Sequence, residues 1–162
     1  MEPRQELQKS DMHMILSKGI EAKQEADSYM REERYDQALQ AYNFALECSD
    51  NKELTTRVHL NKCKCLYQSI QFEECIKEAK ILLSLTTRDK YWLGFLWMSL
   101  SYLKICDKGE KEQLEQHVLF KLAKIFGALS IHFGKSVGKD LEALKILNKH
   151  NLFLTNLRSE RA

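Results

Sequence analysis

The chain carries a single proline, Pro3, and only six glycines among its 162 residues. It is therefore poor in the residues that bend or interrupt a backbone. That poverty excludes a proline-rich or glycine-rich linker protein and suits long, uninterrupted helices, as does a composition of 30% charged and 44% hydrophobic residues. Long apolar runs are missing as well: none approaches the ~20 residues that span a bilayer. The opening Met1-Glu-Pro-Arg-Gln-Glu also lacks the apolar segment of a secretory signal. The expectation is a single domain without membrane contact in the cytoplasm, with the nucleus as the alternative.

Recognisable catalytic and metal-binding signatures are lacking too. There is no His-Glu-x-x-His, and His13, His59, His117, His132 and His150 form no pair at helical spacing. Gly134-Lys135-Ser136 has the ending of a phosphate-binding loop, but the glycine required five residues earlier is Leu129. The five cysteines, Cys48, Cys63, Cys65, Cys75 and Cys106, are an odd number scattered along the chain, which argues against a disulfide framework and for a reducing compartment. Cys63 and Cys65 stand two apart, on nearly opposite faces of a helix, where they cannot share one ion. The expectation is a chain that is not an enzyme and needs neither metal nor cofactor.

What the sequence does contain is a repeated pattern of small and aromatic residues. Ala26, Tyr29, Tyr35, Ala38, Tyr42 and Ala45 are matched 37 residues later by Cys63, Leu66, Phe72, Cys75, Ala79 and Leu82. Small residues at Ala26, Ala38 and Ala45 let two antiparallel helices approach closely, and the tyrosines fill the space beside the contact. This pattern resembles the tetratricopeptide (TPR) repeat, whose period is 34 residues, with a three-residue extension around Asp50-Asn51-Lys52. The resemblance implies an all-α fold: a right-handed superhelix of antiparallel helix pairs with a C-terminal capping helix. It places repeats at about 19–52 and 56–89, a degenerate third at 90–127, and the capping helix at about 138–150, within a domain spanning 11–157. Residues 1–10 and 158–162 are expected to be flexible ends.

Several boundaries follow from periodicity. Asp11 is a candidate N-cap for an extended first helix through Met30, with a turn at Arg31 to Arg34. A second helix covers about Tyr35 to Glu47, a third Glu53 to Ser69 and a fourth Phe72 to Leu85. A fifth, Lys90 to Ile105, is apolar all round and so expects burial on more than one side. A sixth, Glu110 to Phe126, continues a stripe of Leu114, Val118, Leu122, Ile125 and Leu129. Ile131 to Lys139 reads as a glycine-containing connector, and the last helix is expected to bury Leu141, Leu144 and Leu147.

Function, on the resemblance, is that of a protein-interaction adaptor taking a partner peptide in the concave groove. The groove residues implied are Lys23, Asp27, Met30, Arg31, Arg57, Asn61, Lys64 and Tyr67. In the TPR subfamily that grips the C-terminal carboxylate of Hsp70 or Hsp90, a clamp of lysines, asparagines and arginine performs this task. Here Lys23 and Asn61 match two clamp positions, Asp27 stands where asparagine is expected, and the fifth helix lacks the clamp's cations, so only weak chaperone binding is implied. The alternative is a structural subunit docking through a partner patch of Tyr91, Trp92, Phe95 and Trp97 and the basic helices beyond, or an RNA-binding helical repeat. Residues 1–89 carry 13 basic and 16 acidic side chains whereas 90–162 carry 12 and 7, so the C-terminal half is the better match to an acidic partner.

Overall fold

The computed structural model describes residues 3–150 and 152. Among these the chain is helical throughout, without a strand: α1 (Pro3–Arg31), α2 (Tyr35–Cys48), α3 (Lys52–Gln68), α4 (Phe72–Leu85), α5 (Tyr91–Asp107), α6 (Gln113–Lys135) and α7 (Asp140–Lys149), with one 3-10 turn at Arg88–Lys90. The chain divides after Cys65 into two compact units. No helix among the described residues is long and apolar enough to cross a membrane.

In the first unit α1 and α2 reverse on each other through the short turn at residues 32–34. Ala22, Ala26, Ala38, Tyr42 and Ala45 are buried together with Leu54, Val58 and Cys65 of α3. Tyr42 is the largest side chain wholly inside, while Tyr29 and Tyr35 lie against this core partly buried. Gly19 permits the close approach at the far end, where an added Cβ would meet Leu54 Cδ2 at 3.1 Å and Ser49 Cβ at 3.2 Å. α3 starts on its own cap: the Asn51 side chain accepts the Leu54 N–H at 2.9 Å.

The turn between α1 and α2 recurs between α3 and α4. Glu33 adopts a left-handed φ of 57° and Ile70, 37 residues on, one of 64°. Arg34 N–H reaches the Tyr29 carbonyl at 2.9 Å, and Gln71 N–H the Leu66 carbonyl at 2.8 Å. These are the five-residue back-bonds of a helix C-cap closed by a left-handed residue. The same closure ends α6, where Gly138 has φ 68° and Lys139 N–H binds the Gly134 carbonyl at 2.8 Å. The repeat read from side chains is therefore present in the backbone, with α2 and α4 both 14 residues long.

A β-branched residue in the left-handed region is strained by about 1–2 kcal/mol, and Ile70 is 62% exposed, so little packing offsets that strain. Ile70→Gly is expected to raise stability by roughly 0.5–1 kcal/mol after the added freedom of the unfolded chain is counted. Urea unfolding of the two proteins measures this, and a lower midpoint in the glycine variant would contradict it.

The second unit is built around α5. Trp92, Leu96, Leu100 and Leu103 are buried with Ala123 of α6, Ala143 and Leu147 of α7, and Leu152. Two buried serines join α5 to α6: the Ser99 hydroxyl donates to the Ala123 carbonyl at 2.6 Å, and Ser130 to that of Trp92 at 2.7 Å. On the α4 side Gly94 lies so close to Leu83 that an added Cβ would sit 2.7 Å from its Cγ.

Four expectations are corrected. α1 starts at Pro3 rather than at Asp11. Proline suits a first helical position, and Gln5 to Lys9 contains no residue that breaks a helix. α5 ends at Asp107, and α6 begins at Gln113 and runs to Lys135, through most of the expected connector. Gly134 is not a break but a contact point, its missing side chain leaving room for the backbone of Asp140, 3.0 Å from where a Cβ would lie. Leu141 is exposed rather than buried. The expected ends at 1–2 and 158–162, and the continuation of the domain over 153–157, lie outside the described residues.

Candidate functional site

Asp27 gathers three side-chain donors in the first unit. Its carboxylate accepts from Lys23 Nζ at 2.7 Å, from Asn61 Nδ2 at 2.9 Å and from the Tyr42 hydroxyl. One α1 residue thereby ties α2 and α3 to its own helix. Burial, followed by the hydrogen bond to Asp27, pushes the Tyr42 phenol far above its ordinary value, so it stays a donor. Lys23 and Asn61, the two residues matching the carboxylate clamp, are thus both bound to a carboxylate of the chain itself.

Beside this knot an apolar depression runs along α1. One cleft of about 650 Å³ is lined by Lys9, Met12, His13, Ile15 and Leu16 with residues 49–51. A second, of about 390 Å³, shares Leu16 and Asn51 and continues past Ile20 and Leu54 to Lys23 and Arg57. The depression exists because α1 has 29 residues and α2 only 14, so the apolar stripe of α1 outlasts its partner helix. Met12 is left 70% exposed, Ile15 49% and Ile20 41%.

The expected groove residues separate into groups. Lys23 and Arg57 line the depression, Arg57 also pairing with Glu53 at 2.7 Å. Met30 packs against the core, and Arg31 bonds Ser28 at 3.0 Å on the exposed side. Lys64 is exposed on α3. Tyr67 belongs to the second unit, its ring 5.4 Å from Phe72 and 5.5 Å from Trp97. Its phenol is pushed up to about 12 by burial. Sequence reasoning missed Met12, Ile15, Leu16, Ile20 and Leu54. Their helical spacing was visible, but spacing alone says nothing of where the covering helix stops.

The expected aromatic patch on α5 is largely covered by rings of α6. Trp92 is buried, and Tyr91, Phe95 and Trp97 are half-buried. Phe133 of α6 meets Tyr91 at 5.5 Å and Phe95 at 5.4 Å, and Phe126 stacks on Phe95 at 6.1 Å and on Tyr102 at 5.6 Å. The extended α6 supplies these rings, which is why the bulk of α5 is covered.

Cys65 is wholly buried, and its thiol donates to the Tyr35 carbonyl at 3.5 Å. Burial, with a smaller contribution from Asp36, raises it to about 11. A thiol raised in the folded state favours folding fully below its unfolded value, about 8.5, and the benefit fades as pH climbs through the folded value. Tyr42 acts in the same direction. Stability is therefore expected to be level from pH 7 to about 8.5 and to fall between pH 9 and 11. Urea titrations across that range measure it, and Cys65→Ala should flatten the slope; an identical slope in both proteins would contradict the assignment.

The chain matches no protein-family model, and it has no significant match among curated proteins or solved structures.

Proposed function

We propose that the chain is a TPR-type adaptor, a non-enzymatic module of the cytoplasm or nucleus that binds a partner's peptide segment in the depression along α1. The observation that carries this reading is the apolar floor of Met12, Ile15, Leu16, Ile20 and Leu54 rimmed by Lys9, Lys23 and Arg57. A contiguous apolar depression with polar rims is the usual form of a peptide site. The repeated turn and the buried small residues support the TPR-type superhelix of helix pairs as its frame. The occupant is a segment with apolar side chains on one face, helical or extended. A chaperone C-terminal peptide would bind weakly, because its carboxylate competes with Asp27 for Lys23 and Asn61.

A displayed peptide library panned on the full chain tests this. Selected peptides are expected to bind the native protein and to lose about tenfold or more in affinity against Met12→Glu/Ile20→Glu, whose positions are exposed and tolerate charge. Chemical-shift changes falling on α5–α7, or binding indifferent to that double variant, would overturn the reading.

A further inference from the structure

We propose that the outward face of α6 is a second docking surface, independent of the α1 depression, which takes a single amphipathic helix of a partner protein with acidic residues flanking its apolar seam. Leu114, Val118 and Ile125 are 75%, 48% and 54% exposed. At about 100° per residue they fall within roughly 40° of one another, a straight seam about three turns long. α6 turns its opposite side, with Ala123, Gly127, Ser130 and Gly134 buried, toward the rest of the unit. This seam is therefore the face that α5 and α7 leave open.

Charge identifies the occupant. From Gln116 to Lys139 the sequence holds four lysines and no acidic residue, and Glu115, at the start of the seam, stands on the flank away from the lysines. On the helix, Lys121, Lys124 and Lys135 all follow the seam on one flank, and Lys124 is steadied over the Phe120 ring, 5.1 Å from its centroid. The other flank runs through half-buried Leu122 and Leu129 toward the aromatic row of Phe126 and Phe133. Cations on one flank only suit a helix, which meets the seam with one acidic edge and one apolar edge. A lipid surface would be met by cations on both sides. A second copy packed antiparallel about the seam's centre would set Lys121 beside Lys121 and so repel itself.

The test uses the full chain and two synthetic helical peptides with the same leucine seam, one flanked by glutamates and one by lysines, followed by fluorescence anisotropy. The glutamate peptide is expected to bind, to weaken about tenfold against Lys121→Glu/Lys124→Glu, and to lose binding to Val118→Asp/Ile125→Asp. The charge-reversed protein should in turn prefer the lysine peptide, and Met12→Glu/Ile20→Glu should bind as the native chain does, which separates this surface from the α1 site. Circular dichroism checks that the variants stay helical; if the double aspartate does not, Leu114→Asp takes its place. No binding, or equal binding of both peptides by the native chain, overturns the proposal. So does adsorption to phosphatidylserine vesicles abolished by these variants, which would make the face a lipid contact, or a dimer in sedimentation dissolved by Val118→Asp, which would make it a self-contact.

Discussion

Ala38→Glu is expected to unfold the first helical unit. Ala38 is wholly buried at the contact of α1 and α2, and a carboxylate placed there has neither room nor a partner. An uncompensated buried charge costs on the order of 4 kcal/mol or more, a large share of the ~5–15 kcal/mol that holds a domain together. The added side-chain volume works in the same direction, since close helix approach is what the alanine permits. Thermal unfolding followed by circular dichroism measures the loss, and a variant with a native midpoint would show that α1 and α2 do not meet there. Ala41→Glu, three residues along the same helix and only partly buried, should cost much less.

Asp27→Ala has the second largest expected effect. Its removal leaves the Tyr42 hydroxyl, on a side chain only 1% exposed, without an acceptor. Lys23 loses its 2.7 Å partner and Asn61 its 2.9 Å one. Stranding a buried donor costs about 1–3 kcal/mol, and the half-buried ion pair adds less because solvent screens it. A total of about 2–4 kcal/mol is expected in urea unfolding. Asp27→Asn keeps an acceptor for Tyr42 and should lose less. Tyr42→Phe introduced into the Asp27→Ala background should recover part of the loss, because no orphaned hydroxyl remains. Additive single-variant effects in that cycle would show that the two side chains are not coupled.

Much of the first four helices was legible because their spacing of small and aromatic residues encodes contact between neighbours in sequence. The turn at Arg31 to Arg34 and the bounds of α4 followed from it, and the structure places them within a few residues. The C-terminal region was less legible for a definite reason. Gly134 and Gly138 look alike in sequence, yet one is a helical contact with a neighbouring backbone and the other a left-handed cap, so two glycines were read as one loop. The stripe of Leu114, Val118 and Ile125 was visible as a stripe, but periodicity finds an apolar face without saying whether anything covers it. The bonds Asp27 makes were not legible for a related reason: its partners Tyr42 and Asn61 lie 15 and 34 residues away, and only the folded chain shows that they converge on one carboxylate.

The placement of the indoles has a consequence for how the molecule can be watched. Trp92 and Trp97 are the only tryptophans, and both belong to the second unit. Trp92 is buried in that unit's core, and the Trp97 ring leans on Tyr67 at 5.5 Å. Emission therefore reports the surroundings of α5, whereas far-ultraviolet ellipticity weighs the helices of both units together. Midpoints that differ between the two signals would reveal a partly melted state, because probes agree only when the whole chain unfolds in one step. An optical assay of the α1 depression consequently calls for a reporter introduced near it, and His13, on the wall of the larger cleft, is a natural position for a new tryptophan.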